Sequence, residues 1–517
     1  MPARVYLVGA GPGDPGLLTV KGRRCLEHAD VVIYDFLANP RLLDHAPPAA
    51  ERILVGKHGG GVRVEQDVIN ELIVSHARAG KTVVRLKGGD PFLFGRGGEE
   101  AEAVRAAGLD FEIVPGVTSA IAVPAYAGIP VTHRALASNV IVTTGYEHST
   151  KSEPAVHWEE LARGGSTVVV LMTQRQLGPN MAKLMAAGLA AATPVAVIQW
   201  GTRADQHTVV GSAATIAALA EAADIKPPAL AVIGEVVRLR DTLNWFERKP
   251  LFGRRIVITR PRAQAAVFAE LLEGWGAEIV PFPTIDTVPP DSLAPLDDAL
   301  QRAAEFDWVV FTSANGVRVF FDRLQAIGAD VRDWHRARFA AIGPQTAAAA
   351  RAFCVRVETI PDEFKAEGML AALAAAGVSG KRVLLPRAAG ARAVLPIELR
   401  KLGATVEEIA TYTTVLPPAD SEALRELLRH GEIDLVTFTS SSTVHNFVTA
   451  LGGHVDALLA RAGVGCIGPI TAETARSYRM EVAVQPVAYT VPAFVDAIVG
   501  FYATRPPRRR HEPAPAQ

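Results

Sequence analysis

At 517 residues the chain is too long for one ordinary core, and about two to four domains are expected. Apolar residues at 49%, charged residues at 21% and a net charge of −1 describe a globular protein and exclude a dedicated nucleic-acid binder, which would be basic. No apolar run reaches the roughly 18 residues that span a bilayer, and no charged segment with an apolar core opens the chain, so a cytoplasmic protein is expected. Cys25, Cys354 and Cys466 are scattered without metal spacing; they read as reduced thiols, and no metal site is expected.

The chain opens on Val5-Tyr6-Leu7-Val8-Gly9-Ala10-Gly11-Pro12-Gly13-Asp14-Pro15-Gly16, an apolar run that stops at three alternate glycines. A helix is expected at once, with Asp14 as its cap and Pro15 in its first turn. From there to about Leu251, strands ending in glycine-rich turns alternate with helices, which indicates an α/β fold. The strand candidates are 5–8, 31–34, 82–87, 140–144, 167–172, 194–199 and 230–233, and the helices include 17–29, 66–79 and 99–107.

Glycines at the carboxyl end of a first strand suggest a dinucleotide loop. Gly9 and Gly11 supply the first two glycines of that fingerprint, but Asp14 stands at the third and would put a carboxylate beside a pyrophosphate. A second loop, Arg85-Leu86-Lys87-Gly88-Gly89-Asp90-Pro91-Phe92-Leu93-Phe94-Gly95-Arg96-Gly97-Gly98-Glu99-Glu100, repeats the Gly-Asp-Pro junction. Two such loops suit a ligand with adenosine at one end and a zwitterionic amino acid at the other. S-adenosylmethionine is that kind of molecule. The plain structural reading, tight turns only, explains one loop better than two.

With Val114–Ala120 and Gly128-Ile129-Pro130-Val131-Thr132-His133-Arg134, these stretches resemble uroporphyrinogen-III C-methyltransferase from Val5 to about Glu247. The resemblance implies a two-lobed tetrapyrrole-methylase fold acting as a homodimer, with S-adenosylmethionine as methyl donor. It implies methylation of uroporphyrinogen III at carbons 2 and 7, giving precorrin-2, and donor contacts at Pro12, Gly88, Gly89, Asp90, Leu93, Thr118, Ser119, Met172 and Gly201. Asp35 and Lys57 match the family's proposed proton acceptor and proton donor; without that context Asp35 is a cap or ion-pair partner and Lys57 a surface cation. A substrate with eight carboxylates needs cations. The candidates are Lys57, His58, Arg63, Arg85, Lys87, Arg96, His133 and Arg134, with Arg96 and Arg134 foremost. Tyr146, Thr173 and Gln199-Trp200 depart from the family's usual histidine, glycine and Glu-Asn.

A domain boundary is placed after residue 248, before the new strand and loop Arg254–Pro261. The sequence beyond that boundary is duplicated. Phe311-Thr312-Ser313-Ala314-Asn315-Gly316-Val317 is echoed 127 positions later by Phe438-Thr439-Ser440-Ser441-Ser442-Thr443-Val444. Ile342-Gly343-Pro344-Gln345-Thr346-Ala347 is echoed 125 positions later by Ile467–Ala472. The repeat implies two similar α/β lobes, one of about 253–283 plus 414–505 and one of about 284–411. They are joined by a two-stranded crossing at Pro281–Pro283 and Ala410–Thr414. Ser/Thr/Asn turns after strands present backbone N–H groups and hydroxyls, which suits a multi-anionic ligand, although ordinary N-capping explains each turn singly. A disordered tail is expected at 506–517.

This half, with Ile258-Thr259-Arg260-Pro261, Leu385–Ala388 and Tyr412, resembles uroporphyrinogen-III synthase. That family closes hydroxymethylbilane to uroporphyrinogen III with inversion of ring D and without a cofactor. The resemblance implies Tyr412 as proton donor to the departing hydroxyl, or else as hinge packing, and Thr312, Ser440 and Thr471 as substrate contacts. The product of this half is the substrate of the first, and no nucleic-acid or membrane partner is expected. With no dehydrogenase or ferrochelatase module in the sequence, the pathway on this chain is expected to stop at precorrin-2. The alternatives are another corrin-pathway methyltransferase of this fold fused to a non-catalytic two-lobed ligand-binding module, and a nicotinamide-dependent dehydrogenase, which Asp14 disfavours.

Overall fold

The computed structural model describes residues 5–56, 64–145, 156–162, 165–391, 393–415 and 420–505. The tail expected at 506–517 lies outside them. The chain divides into two compact units: one runs to Ile256 and adds Ala269–Ile279 and the segment from Val495, the other comprises Val257–Phe268 and Val280–Phe494.

The first sheet is wholly parallel, with strands β1 (Val5–Gly9), β2 (Val31–Tyr34), β3 (Glu51–Leu54), β4 (Val83–Lys87) and β5 (Phe111–Val114) in the order β3-β2-β4-β1-β5. Its central strands bury apolar residues on both faces, as a sheet covered by helices on both sides requires, with Arg85 and Lys87 of β4 as charged exceptions. Val8, Val32, Val84 and Leu86 enter one core, and Val5, Leu7, Ile33 and Val83 the other. The second sheet holds β6 (Asn139–Thr144), β7 (Ser166–Leu171), β8 (Pro194–Gln199), β9 (His207–Ser212) and β10 (Ala229–Ile233) in the order β6-β7-β10-β8-β9. Only β6 and β7 are parallel; β10 runs antiparallel to both its neighbours, and β9 antiparallel to β8.

Three of these strands, β3, β5 and β9, have no counterpart among the strand candidates of the sequence. All three are sheet edges, where one side of the strand meets water and polar residues are admitted. Glu51, Arg52 and Leu54 of β3 are exposed. The opening helix also differs from expectation. Asp14 caps only the single 3₁₀ turn Pro15–Leu17, and the chain restarts at Thr19, whose hydroxyl accepts from Gly22 N at 3.0 Å and caps the helix Val20–Glu27.

The C-terminal half holds β11 (Arg255–Ile258), β12 (Glu278–Pro281), β13 (Asp286–Val288), β14 (Trp308–Phe311), β15 (Arg338–Ala341), β16 (Arg382–Ala388), β17 (Thr405–Val415), β18 (Leu435–Phe438), β19 (Gly463–Cys466) and β20 (Val482–Val484). They form two five-stranded sheets, β12-β11-β18-β19-β20 and β13-β17-β16-β14-β15. The duplication is structural. Ser313 after β14 and Ser440 after β18 cap the helices Ala314–Ala326 and Ser441–Ala450, and Gly-Pro starts the helices Pro344–Ala352 and Pro469–Ser477 after β15 and β19. The chain leaves the first of these sheets after Pro281 and enters the second as β13, which pairs antiparallel with the end of β17 through Asp286 and Val415. That is the two-stranded crossing expected from the sequence.

At the carboxyl ends of β1, β4 and β5, backbone meets backbone. A Cβ at Gly116 would lie 2.2 Å from the Gly89 oxygen and 2.6 Å from Gly9 Cα. Gly116→Ala should therefore cost about 1–3 kcal/mol, the usual range for overpacking. Gly98→Ala, on an exposed helical face with nothing within 4 Å, should be neutral or stabilise slightly. Urea denaturation of the full chain checks the pair.

Candidate active sites

Adjacent parallel strands deliver their loops to the same end of a sheet, so β1 and β4 place the two glycine loops side by side. The loops then pair. Ala10 N donates to Lys87 O at 2.7 Å, and Gly11 and Gly89 exchange N–H···O bonds of 3.2 and 2.8 Å. Gly11 and Gly89 hold φ of 74° and 71°, a left-handed backbone that glycine adopts without penalty. Asp90 fastens the third loop: its Oδ1 accepts from Phe92 N and Leu93 N at 2.8 and 3.1 Å, and its Oδ2 from Gly116 N at 3.0 Å. Thr118 caps the helix Ser119–Tyr126, accepting from Ala120 N at 3.2 Å.

The second lobe contributes two loops with left-handed residues, Met172 after β7 (φ 57°) and Trp200 and Thr202 (φ 48° and 70°) around Gly201. Gly201 sits so close to the helix Ser119–Tyr126 that a Cβ would fall 2.3 Å from Val123 Cγ1. Leu93 packs on the same lobe's core. Asp14 joins the lobes: its N donates to Thr202 Oγ1 at 3.1 Å, its Oδ1 accepts from Gly16 N at 2.7 Å, and its Oδ2 accepts from the Tyr126 hydroxyl at 2.7 Å.

Asp35 stands just after β2. Its Oδ1 accepts from Leu37 N, Ala38 N and Gly88 N at 3.1, 3.2 and 3.3 Å, while among the described residues Oδ2 has Gly88 N at 3.3 Å and Arg85 Nη2 at 3.6 Å. Arg85 and Lys87, expected to face substrate acids, do not. They point the same way from the central strand and are only 3% and 4% exposed. Arg85 Nε and Lys87 Nζ both donate to Glu100 Oε1, at 3.1 and 2.8 Å, and Gln66 donates to the same oxygen at 3.3 Å. Burial pushes the Lys87 ammonium below its usual value, Arg85 adds to the shift, and Glu100 opposes it. Arg96 is exposed but committed to Glu99, through Nε at 2.8 Å and Nη2 at 2.6 Å. Arg134 is exposed on the turn between His133 and Ala137. Lys57, His58 and Arg63 lie outside the described residues.

In the C-terminal half a cleft of about 630 Å³ lies at the carboxyl ends of β11, β14 and β18, beside the crossing. Tyr412 and Ser440 line it; Thr312 and Thr471 do not, and Thr471 is buried within the helix Pro469–Ser477. The Tyr412 hydroxyl lies 2.9 Å from Ser313 Oγ, which also accepts from Gly316 N at 3.0 Å. The lining residues that the motifs did not single out include Arg260, Asn315, Ser442, Thr443 and Asn446. Their signal was present, since Arg260 stands in the loop after β11 and the others in the helices that follow β14 and β18, but nothing local separates cleft-facing positions from capping ones.

A family model for tetrapyrrole (corrin/porphyrin) methylases matches residues 4–217, and one for uroporphyrinogen-III synthase HemD matches residues 266–496. A porphyrin biosynthesis protein HemD from Ruminiclostridium josui is 36% identical over 495 residues, 96% of this chain and 97% of that protein. The chain belongs to the family of tetrapyrrole methylases fused to uroporphyrinogen-III synthases. An S-adenosyl-L-methionine-dependent uroporphyrinogen III methyltransferase from Methanosarcina barkeri is 56% identical over 241 residues, 47% of this chain and 94% of that one. A solved uroporphyrin-III C-methyl transferase from Thermus thermophilus, complexed with S-adenyl homocysteine, is 39% identical over 46% of this chain and 100% of that chain, with a TM-score of 0.40.

Two of the departures from the methylase pattern have a place in this packing; Tyr146 lies outside the described residues. Thr173 is fully buried, accepts from Asn180 Nδ2 at 3.3 Å, and occupies the space beside Gly145. Trp200 stacks under the Arg203 guanidinium at 4.5 Å and meets Phe36 edge-on at 5.9 Å.

The buried charges and the Asp14–Tyr126 bond each set a measurable stability. Glu100→Ala leaves Arg85 and Lys87 buried with their shared acceptor gone and should destabilise the chain by about 3–5 kcal/mol in urea denaturation. Tyr126 carries a hydroxyl whose ionisation is opposed by burial first and then by its bond to Asp14, so its pKa lies well above the ordinary 10.0. Above about pH 10 the unfolded chain gives up this proton and the native state keeps it, so the unfolded state binds fewer protons and stability declines as pH rises. The stability gap between wild type and Tyr126→Phe should be constant below about pH 9 and narrow towards pH 11 in denaturation curves.

Proposed function

We propose that the chain is a bifunctional enzyme of tetrapyrrole biosynthesis. Its C-terminal half cyclises hydroxymethylbilane to uroporphyrinogen III with inversion of ring D. Its N-terminal half then methylates carbons 2 and 7 to give precorrin-2. The domains are 1–248 and 249–505, working in the cytoplasm as a homodimer through the methyltransferase half. No helix among the described residues is long and apolar enough to cross a membrane. Likeness to a relative that shares both parts over 97% of its length supports the pairing of activities.

The observation that carries the N-terminal reading is the joining of Gly11 to Gly89, which leaves room on one side. A Cβ on Gly89 would meet nothing nearer than Ser119 N at 3.9 Å, so an open space lies between that glycine and the start of a helix. Pro12, Gly88, Gly89, Leu93, Thr118, Ser119, Met172 and Gly201 would hold S-adenosylmethionine. Asp90 serves by fixing the loops to one another. When bound, the donor supplies an activated methyl group. The chain's own residues position the pyrrole, exclude water and remove the proton that the methylated ring carbon must lose. Asp35 is the acceptor: three backbone N–H groups orient its Oδ1, and its Oδ2 keeps capacity for a proton. Lys57 is its partner as proton donor.

In the C-terminal half, Tyr412 gives a proton to the hydroxyl that leaves the bilane, and Ser313 fixes the phenol's direction. Ser440 directly in the cleft, and Thr312 and Thr471 outside its lining, would bind substrate acids through hydroxyl and backbone donors. No cofactor is needed there.

The purified chain supplied with hydroxymethylbilane and S-adenosylmethionine should yield dimethylated product; uroporphyrin I without methyl transfer would overturn both halves. Asp35→Asn should lower kcat for methylation by about 10²–10⁴ with donor affinity unchanged, the usual range for a lost general base. Tyr412→Phe should slow only the first reaction, by about the same factor.

A further inference from the structure

Among the described residues that line the C-terminal cleft, Arg260 is the one charged side chain. Its neighbours there are hydroxyls, amides and apolar groups, and no carboxylate is among them. Arg260 stands on the loop after β11, in Thr259-Arg260-Pro261, and is half-buried. Among the described residues its guanidinium makes no ion pair; its single hydrogen bond runs from Nη2 to Gln264 Oε1 at 3.4 Å, and Nε is shielded without any partner. Burial alone pushes the group below its usual pKa, with no acid to raise it again. An isolated cation withdrawn from water is costly, and proteins ordinarily pair it. Arg85, buried in the other half, illustrates the rule with Glu100 and Asp35. Among the described residues Arg260 has the desolvation without the partner, in a cavity whose other polar groups, Ser440, Ser442 and Asn446 among them, can donate hydrogen bonds to an anion.

We propose that Arg260 is a carboxylate receptor that anchors one side-chain acid of the linear tetrapyrrole in the cleft. The proposal rests on the synthase reading of this half and adds to it a specific binding residue. The fork of the guanidinium takes a carboxylate in two parallel bonds, and the ligand's charge replaces the water that Arg260 lost on folding. With one cation in the cleft, the remaining acids of the ligand meet hydroxyls, backbone N–H groups or solvent.

Arg260→Gln in the full chain should raise the KM for hydroxymethylbilane about 10- to 100-fold, the loss expected for a charged hydrogen bond, with kcat within about threefold. Arg260→Lys should recover part of it. Because the charge is unpaired, Arg260→Gln should unfold no earlier than wild type. A wild-type KM in Arg260→Gln, or unfolding several degrees earlier that marks a structural role, overturns the proposal. Titration with uroporphyrin I keeps it separate from the synthase reading. Should the wild-type chain form no uroporphyrinogen III, that reading fails. The receptor then stands if the octacarboxylic acid binds, its octamethyl ester does not, and Arg260→Gln loses one bound equivalent. It falls if the variant binds the acid as wild type does.

Discussion

The exchange of hydrogen bonds between Gly11 and Gly89 is the constraint on which the N-terminal half depends. Two loops that leave neighbouring parallel strands would ordinarily diverge into their own helices. Here they are closed against each other with no side chain between, and the loop after β5 is drawn in behind them at Gly116. The acids nearby serve this junction. Asp90 holds the β4 loop to Gly116, Asp35 holds Gly88, and Asp14 ties the β1 loop to Tyr126 and Thr202. Asp14 is thereby spent on the protein, which gives a geometric reason beyond its charge why this is no pyrophosphate loop.

Much of this was legible in the sequence because it is local. Glycine spacing marked the two loops, the Gly-Asp-Pro junctions their kinship, and the offsets of 127 and 125 the duplicated lobes. Buried central strands announced themselves as apolar runs, whereas the edges β3 and β9 carry too many polar residues to stand out and β5 is only four residues long. Arg85 and Lys87 were misread for a related reason. A charged pair at alternate positions of a strand looks like a polar face, and the acid that neutralises it, Glu100, lies on a helix beyond the loop. Only the fold brings them together.

The repeat misled in a subtler way. Equivalent motifs suggested equivalent roles, so Thr312 and Thr471 were expected beside Ser440. The cleft is lined unequally: the loop and helix after β18 supply Thr439, Ser440, Ser442, Thr443 and Asn446, while the copy after β14 supplies Asn315. Ser313, the counterpart of Ser440, turns instead to Tyr412. Duplication preserves the caps that build each lobe, and those are needed twice. A cleft that receives an asymmetric ligand needs each function once, so the copies are free to diverge there.

The two halves treat buried cations in opposite ways, and the difference bears on what each cation can do. Arg85 and Lys87 are paired with Glu100, and Arg85 with Asp35 as well, so a ligand gains little from them; their role is to hold β4 and Asp35 in register. Arg260 meets no acid among the described residues, so its desolvation is offset only when an anion arrives. On the proposed reading, the bilane and the macrocycle it becomes carry the same acids, since cyclisation consumes a hydroxyl and not a carboxylate. A receptor for one such acid holds substrate, transition state and product alike. Uniform binding of that kind changes the concentration at which the cleft fills and leaves the barrier of the chemical step untouched. Choice of which pyrrole inverts must then come from groups that distinguish the ring ends. In this cleft those are Tyr412 and the hydroxyls of the β18 loop, not the cation.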